Sequence, residues 1–219
     1  MFFVLISSVG HCVNEDLTTY TEVDEGTDLT ITSAKVDIST IQMNRLSYVR
    51  RDMGSACIGD FDIDFTCNMA TDVSGSSLGC FAVSDDTNNS RTSMDANNVG
   101  LIFGYNRWFV AGNWRMRDEE NSAQDSVVAG TPSQTRYLTI SRTGTTFQTL
   151  VYTDADRTTL EDTLSLTSGT DTYQYVYAFY NHNDDVQFPT NTFSGYTENF
   201  ELNGLCAVAT ASVHQVIIY

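Results

Sequence analysis

The sequence predicts an all-β protein, an antiparallel sandwich of two sheets. Three observations carry that expectation. Apolar and polar residues alternate with a period of two through most of the 219 residues, the signature of a strand with one buried face. Short clusters of Gly, Asn, Asp and Ser recur between the alternating runs, as turns require. No apolar pattern of helical period persists beyond one or two turns. A hydrophobic fraction of 41% with 11% aromatics supplies a sizeable core, and sandwiches of this length form one domain, so 1–219 is read as a single unit.

Taken in order, the alternating runs are Phe2–Ser7, Leu29–Thr32, Lys35–Ser39, Ser47–Arg51, Asp60–Asn68, Gly79–Ser84, Gly100–Tyr105, Arg107–Met116, Tyr137–Arg142, Thr146–Thr153, Thr158–Ser165, Tyr173–Tyr180, Tyr196–Leu202 and Val213–Tyr219. The stretches "DEGT", "RDMG", "DVSGSS", "SDDTNNS", "DANN", "RTGT", "TSGTD" and "NHNDD" separate them. Pro132 and Pro189 both fall between strands, where a missing N–H costs no ladder bond. In "GDFDIDF" the parity is plain: Phe61, Ile63 and Phe65 share one face and Asp60, Asp62 and Asp64 the other.

Charge excludes one class of partner. A formal charge of −17, with a single lysine (Lys35) and no basic run, leaves nothing to neutralise a phosphate backbone, so nucleic acid is not expected. Such a surface repels itself in dilute buffer and stays hydrated when salt screens it, which points to a saline, extracellular setting. Five cysteines (Cys12, Cys57, Cys67, Cys80, Cys206) show no C-x-x-C pair and no zinc spacing, and no disulfide is assigned from them. Cys67 shares parity with Phe61, Ile63 and Phe65 and is expected in the core.

The opening "MFFVLISSVGHC" lacks the basic segment of a secretion signal, and no stretch reaches the ~20 apolar residues of a membrane span. Both ends, 1–16 with "FFVLI" and 203–219 with "VHQVIIY", are apolar and read as arms that need covering, by the sandwich or by a neighbouring subunit.

The phrases "TYTEVDEGTDLTITSAKVDIS", "YVRRDMG", "IGDFDIDF", "RYLTISRTGTTFQTLVYTDADRTTLEDTLS" and "FSGYTENFEL" together resemble concanavalin A-like (laminin-G/lectin-type) jelly rolls, nearest to uncharacterised members from phage and environmental sequences. The resemblance spans roughly Tyr20 to Leu202 within a core of about 17–202, and its most specific part is the strand–turn–strand around Tyr152, Thr153 and Asp154. It implies two packed, curved antiparallel sheets, frequent glycan binding and often calcium. It implies no single activity, because one fold carries many sites.

Candidate sites are weighed residue by residue. Asp60, Asp62 and Asp64 lack the glycine at position six and the glutamate at position twelve of a calcium loop, and they lack the glutamates of a glycosidase pair. They read as the wet face of a strand. "GSSLG" matches a nucleophile elbow around Ser77, but a strand-like segment follows where a helix is needed, so a hairpin loop is expected. His11, His182 and His214 sit in no triad context. Asp85, Asp86, Asn88 and Asp95 offer hard oxygen ligands suited to calcium, as do Asn181, Asn183, Asp184 and Asp185. "YNRWFVAGNW" groups Tyr105, Asn106, Trp108, Asn113 and Trp114. On an unbroken strand Trp108 and Trp114 face the same way: outward they form a platform for sugar rings, inward they are core.

The expected function is a non-enzymatic, virion-associated or surface lectin-like module for adhesion or decoration, binding glycans weakly and forming a homo-oligomer. The alternative is a purely structural subunit of a viral or extracellular assembly. A polysaccharide hydrolase or lyase is the third reading.

Overall fold

The computed structural model describes residues 14–42, 45–69, 76–85, 100–107, 112–129, 133–181 and 191–203, and the structural statements below concern these residues. A 3₁₀ turn, Leu17–Thr19, opens them, with the Asp16 carboxylate accepting from the Thr18 N–H. Fourteen strands follow: β1 (Thr21–Asp24), β2 (Leu29–Ile31), β3 (Lys35–Gln42), β4 (Ser47–Asp52), β5 (Phe61–Met69), β6 (Ser76–Ser84), β7 (Leu101–Arg107), β8 (Gly112–Asp118), β9 (Ala123–Val128), β10 (Thr135–Thr143), β11 (Thr146–Tyr152), β12 (Leu160–Thr167), β13 (Tyr175–Asn181) and β14 (Thr192–Asn203). They build two seven-stranded antiparallel sheets. Sheet 1 has the order β12-β11-β10-β5-β14-β3-β2, and sheet 2 the order β1-β4-β13-β6-β7-β8-β9. The expected two-sheet architecture is present, and no described helix is long and apolar enough to cross a membrane.

The central strand of sheet 1 shows how the alternation becomes a core. On β5, Phe61, Ile63, Phe65 and Cys67 are buried between the sheets, while Asp62 and Asp64 face outward. Phe65 stacks on Phe200 of β14 with centroids 4.7 Å apart, and Phe61 packs on Phe81 of β6 and Phe147 of β11. Burying each such ring contributes roughly 1.5–3 kcal/mol. Outward, Asp60 accepts from the Gly144 N–H and Asp64 from the Thr139 hydroxyl, so two of the three aspartates tie β5 to β10 and its turn.

The central region of sheet 2 departs from strict alternation at two neighbouring bulges. Pairing of β6 with β7 shifts between Gly79 and Phe81, and pairing of β13 with β4 shifts between Tyr177 and Phe179. Each bulge lets two successive residues face the core, Cys80 with Phe81 and Ala178 with Phe179. The Ala178 carbonyl, left out of the ladder, accepts from the Thr197 hydroxyl of sheet 1 at 2.8 Å, so a buried polar group is satisfied from the opposite sheet.

Four sequence expectations change. Strands β1 and β9 were not anticipated. Both are edges of sheet 2 with mostly exposed or half-exposed residues, so their sequences carry little apolar alternation. The run Arg107–Met116 is not one strand: β7 ends at Arg107 and β8 begins at Gly112 as its antiparallel partner. Ser77 lies within β6, in neither a hairpin loop nor an elbow. Cys57 is disulfide-bonded, whereas Cys67 and Cys80 are free thiols. The expected strands Phe2–Ser7 and Val213–Tyr219 lie outside the described residues. At the inner margin of the N-terminal arm, Asn14 bridges Glu201 and the Glu15 N–H donates to the Phe200 carbonyl, continuing sheet 1 beyond the reach of β3.

Candidate functional site

Alternation on β7, β8 and β9 turns one side of each strand away from the core. On β8 the buried residues are Gly112, Trp114, Met116 and Asp118, which leaves Asn113, Arg115 and Arg117 on the outer face of sheet 2. On β7 the outward partners are Gly104 and Asn106, with Asn106 directly opposite Asn113 and Gly104 opposite Arg115. On β9, Ser126 faces Arg115 and Gln124 faces Arg117. Asn106, Asn113, Arg115, Gln124 and Ser126 line a cleft of about 190 Å³. Arg115 donates from Nη2 to Gln124 Oε1, which fixes the guanidinium across the β8–β9 boundary. Three carboxamides, a guanidinium and a hydroxyl on flat strands present donors and acceptors in a row, chemistry that matches vicinal sugar hydroxyls.

The aromatic part of the expected site belongs to the core. Tyr105 and Trp114 are 2% and 3% exposed and pack edge to face at 5.5 Å, while Phe103 stacks on Trp114. Of the two orientations open for Trp114, the structure takes the inward one, since parity within β8 places it with Met116 and Asp118 on the buried side. Trp108 lies outside the described residues. The structure thus brings together Asn106 and Asn113 and adds Arg115, Gln124 and Ser126. Sequence reasoning missed Gln124 and Ser126 because β9 was not seen. The signal present was "NWRMRD" itself, whose polar residues alternate with Trp114 and Met116.

Beside the cleft, the same face of sheet 2 carries Tyr48, Tyr175, Tyr177 and Tyr180, all as buried as core residues, with Val23 and Leu46 packed on them. Arg50 lies over the rings of Tyr48 and Tyr175, 5.4 and 4.4 Å from their centroids. This arginine is held as a cation–π partner in an aromatic layer. The Tyr180 ring lies on Gly79, where a Cβ atom would stand 2.3–2.5 Å from the ring.

Of the residues on which the calcium expectation rests, Asp85 and Asn181 are described, and the Asp85 carboxylate accepts from the Gln174 N–H at 2.7 Å. Asp86, Asn88 and Asp95, like Asn183, Asp184 and Asp185, lie outside the described residues. Asn181 is buried and donates to the carbonyls of Gln42 and Arg45, a structural role. Among the described residues no group of three or more His, Cys, Asp or Glu is arranged to hold a metal ion.

One carboxylate pair stands apart from the cleft residues. Glu120, in the β8–β9 turn, is pushed up from 4.5 to about 7 by burial, then by its hydrogen bond to Asp171 and the charges of Asp171 and Asp118. The Tyr173 hydroxyl donates to Glu120, and burial together with these carboxylates raises the Tyr173 phenol. Asp118 is itself held by the N–H of Gly169 and by Asn121. Between pH 4.5 and about 7 the folded state binds more protons at Glu120 than the unfolded chain, so stability falls as pH rises through that window. Glu120→Gln is expected to match the parent near pH 4 and to exceed it in stability at pH 8. Denaturant titrations at both pH values check this, and equal differences at the two would refute the assignment.

No protein-family model matches the chain, and no curated protein matches it in sequence. Solved structures do match in shape. The exoplasmic/lumenal domain of VIP36 in its Ca²⁺/Man-bound form gives a TM-score of 0.55 at 12% identity, covering 87% of this chain and 84% of that one. The basic winged bean lectin with Tn-antigen gives 0.54 at 8%, covering 81% and 91%. The alginate lyase from Klebsiella pneumoniae gives 0.51 at 10%, covering 84% and 83%. Such identities establish architecture alone. With its two antiparallel seven-stranded sheets, the chain has the concanavalin A-like jelly-roll β-sandwich fold.

Proposed function

We propose that this protein is a non-enzymatic, lectin-like surface module that holds glycan chains weakly and at many points, on a virion or extracellular assembly in saline water. The observation that carries the reading is the cleft of Asn106, Asn113, Arg115, Gln124 and Ser126 on the outer face of sheet 2. Carboxamides of Asn106 and Asn113 both donate and accept, so they pair with neighbouring hydroxyls of one sugar, while Arg115 adds donors held in place by Gln124. Without a described aromatic ring in the cleft lining, each contact is weak, and avidity from repeated copies supplies retention. The apolar arms, 1–16 and 203–219, would dock the module to its neighbours in a homo-oligomer. Salt would screen the charge of −17. Calcium is an optional part of the proposal, with Asp85, Asp86, Asn88 and Asp95 as its ligands; the VIP36 and winged bean lectin structures share the fold, and that of VIP36 is a Ca²⁺-bound form.

A glycan array in high salt, with and without calcium, tests the reading. Binding by the wild-type protein, lowered tenfold or more by Arg115→Ala or Asn113→Ala, corresponds to losing about 1.4 kcal/mol of contact and supports it. Silence under every condition overturns it in favour of a purely structural subunit. Release of reducing or unsaturated ends from polysaccharides would overturn the non-enzymatic part, a pertinent control because an alginate lyase shares the fold.

A further inference from the structure

We infer that Cys67 and Cys80 are the two halves of a disulfide that staples the sheets together through the middle of the core when the protein folds in oxidising surroundings. Cys67 sits on β5, the fourth of seven strands in sheet 1, and Cys80 on β6, the fourth of seven in sheet 2. Both side chains are fully buried, and their sulfurs are 3.0 Å apart. A disulfide bond is about 2.05 Å long, so closure asks for roughly one ångström of movement between two residues already facing each other. The bulge in β6 aims Cys80 at its partner: Gly79 faces outward, and the register shift before Phe81 keeps Cys80 and Phe81 both inward.

A separate observation supplies the setting. Cys57 is disulfide-bonded, and structural disulfides persist where thiols are oxidised. Surroundings that oxidise Cys57 also offer an oxidant to Cys67 and Cys80 while the chain is still folding. The reaction balances with a small-molecule disulfide as oxidant. One cysteine thiolate attacks it and expels a small thiol, the second cysteine thiolate attacks the mixed disulfide, and a second small thiol leaves as the Sγ–Sγ bond forms. The protein loses two hydrogens, and one small disulfide becomes two thiols.

The burial that makes the pair close also seals it. Neither sulfur reaches solvent, and burial pushes the Cys80 thiol up, so the thiolate needed for exchange is absent from the folded state. Oxidation therefore belongs to the folding chain, before β5 and β6 pack, and the finished sandwich keeps whichever state it acquired.

Full-length protein, reduced and denatured, is refolded in a buffer of oxidised and reduced glutathione, then alkylated in denaturant and digested without reduction. Mass spectrometry is expected to find the Cys67 and Cys80 peptides linked, two hydrogens lighter than their sum. Alkylation of both cysteines after that refolding, with Cys57 still linked, would overturn the inference. Folded protein kept reduced and then placed in the same buffer without denaturant should retain both thiols; linkage as fast as from the denatured chain would refute the sealed-core part. Cys57→Ala supplies a second arm: Cys67–Cys80 linkage in that variant supports a pairing independent of Cys57, and its loss counts against it.

Discussion

Phe65→Ala is expected to lower the unfolding free energy by about 3–5 kcal/mol, the range for removing a large ring from a core that cannot collapse onto the gap. Phe65 is fully buried on the central strand of sheet 1, stacked on Phe200 at 4.7 Å and an interplanar angle of 4°, with Phe81 of sheet 2 at 6.4 Å. Its removal takes one ring from a contact that holds β5 to β14 and another from the seam between the sheets. Flanking strands cannot close the space, because β5 is paired with β10 from Phe61 to Asn68 and with β14 on both sides of the bulge that stands opposite Phe65. Urea titration of the parent and variant at equal salt measures the difference. A loss under about 1 kcal/mol would mean that the ring is not packed as described, since only surface substitutions away from such features fall that low. Asp62→Asn, three residues away on the wet face of the same strand, serves as the control. Asp62 is raised by partial burial and by Asp64, so removing its charge relieves repulsion and is expected to leave stability unchanged or slightly improved.

The contrast between Phe65 and Asp62 also marks what a sequence can disclose. Where a strand has one wet and one dry face, alternation names both, and β5, β10 and β11 were legible for that reason. It was less informative at the ends of that range. The edge strands β1 and β9 bury too little for their apolar residues to stand out; β13 is present where Tyr173–Tyr180 was expected, but it buries every residue, so "YVYAFYN" does not tell which side chains face the other sheet. Bulges were invisible, since Cys80 and Phe81 differ in no local property from residues of a regular strand, and only the partner register reveals that both point inward. The candidate site was half legible on the same grounds. Asn106 and Asn113 were legible as polar neighbours of Tyr105 and Trp114, while the direction in which those two rings point was left open and proves to be inward. Arg115 was adjacent in the sequence, but Gln124 and Ser126 depended on a third strand whose composition announced nothing. The Cys57 disulfide was likewise out of reach, because spacing alone fixes no connectivity.

The cleft depends on a close approach of backbones that side chains cannot share, and Gly104→Val is expected to show it. An ideal Cβ at Gly104 would stand 2.2 Å from the Leu78 carbonyl oxygen and 3.2 Å from the Gly79 Cα, both parts of β6 rather than flexible side-chain ends. Gly104 pairs with Gly79 on one side and with Arg115 on the other, at the boundary between the buried tyrosine layer and the open cleft. A valine there cannot choose a rotamer that avoids the clash, because the Cβ itself is the offending atom. Strands β6 and β7 must separate, weakening ladder hydrogen bonds of about 1 kcal/mol each in addition to overpacking that costs typically 1–3 kcal/mol. The expected total is about 3–4 kcal/mol, read as a lowered denaturation midpoint or as failure to accumulate folded protein. Val128→Thr, at a site 64% exposed on the edge strand β9, is the matched control and should stay within about 0.5 kcal/mol of the parent. Binding separates this steric effect from a merely local one. Any folded Gly104→Val protein displaces β7 against β8, so Asn106 and Arg115 lose their mutual placement, and glycan affinity should fall together with stability. Undiminished stability would show that the β6–β7 approach is not as tight as the Leu78 carbonyl contact implies. Reduced stability with full glycan affinity would place the binding surface elsewhere than the outer face of β7, β8 and β9.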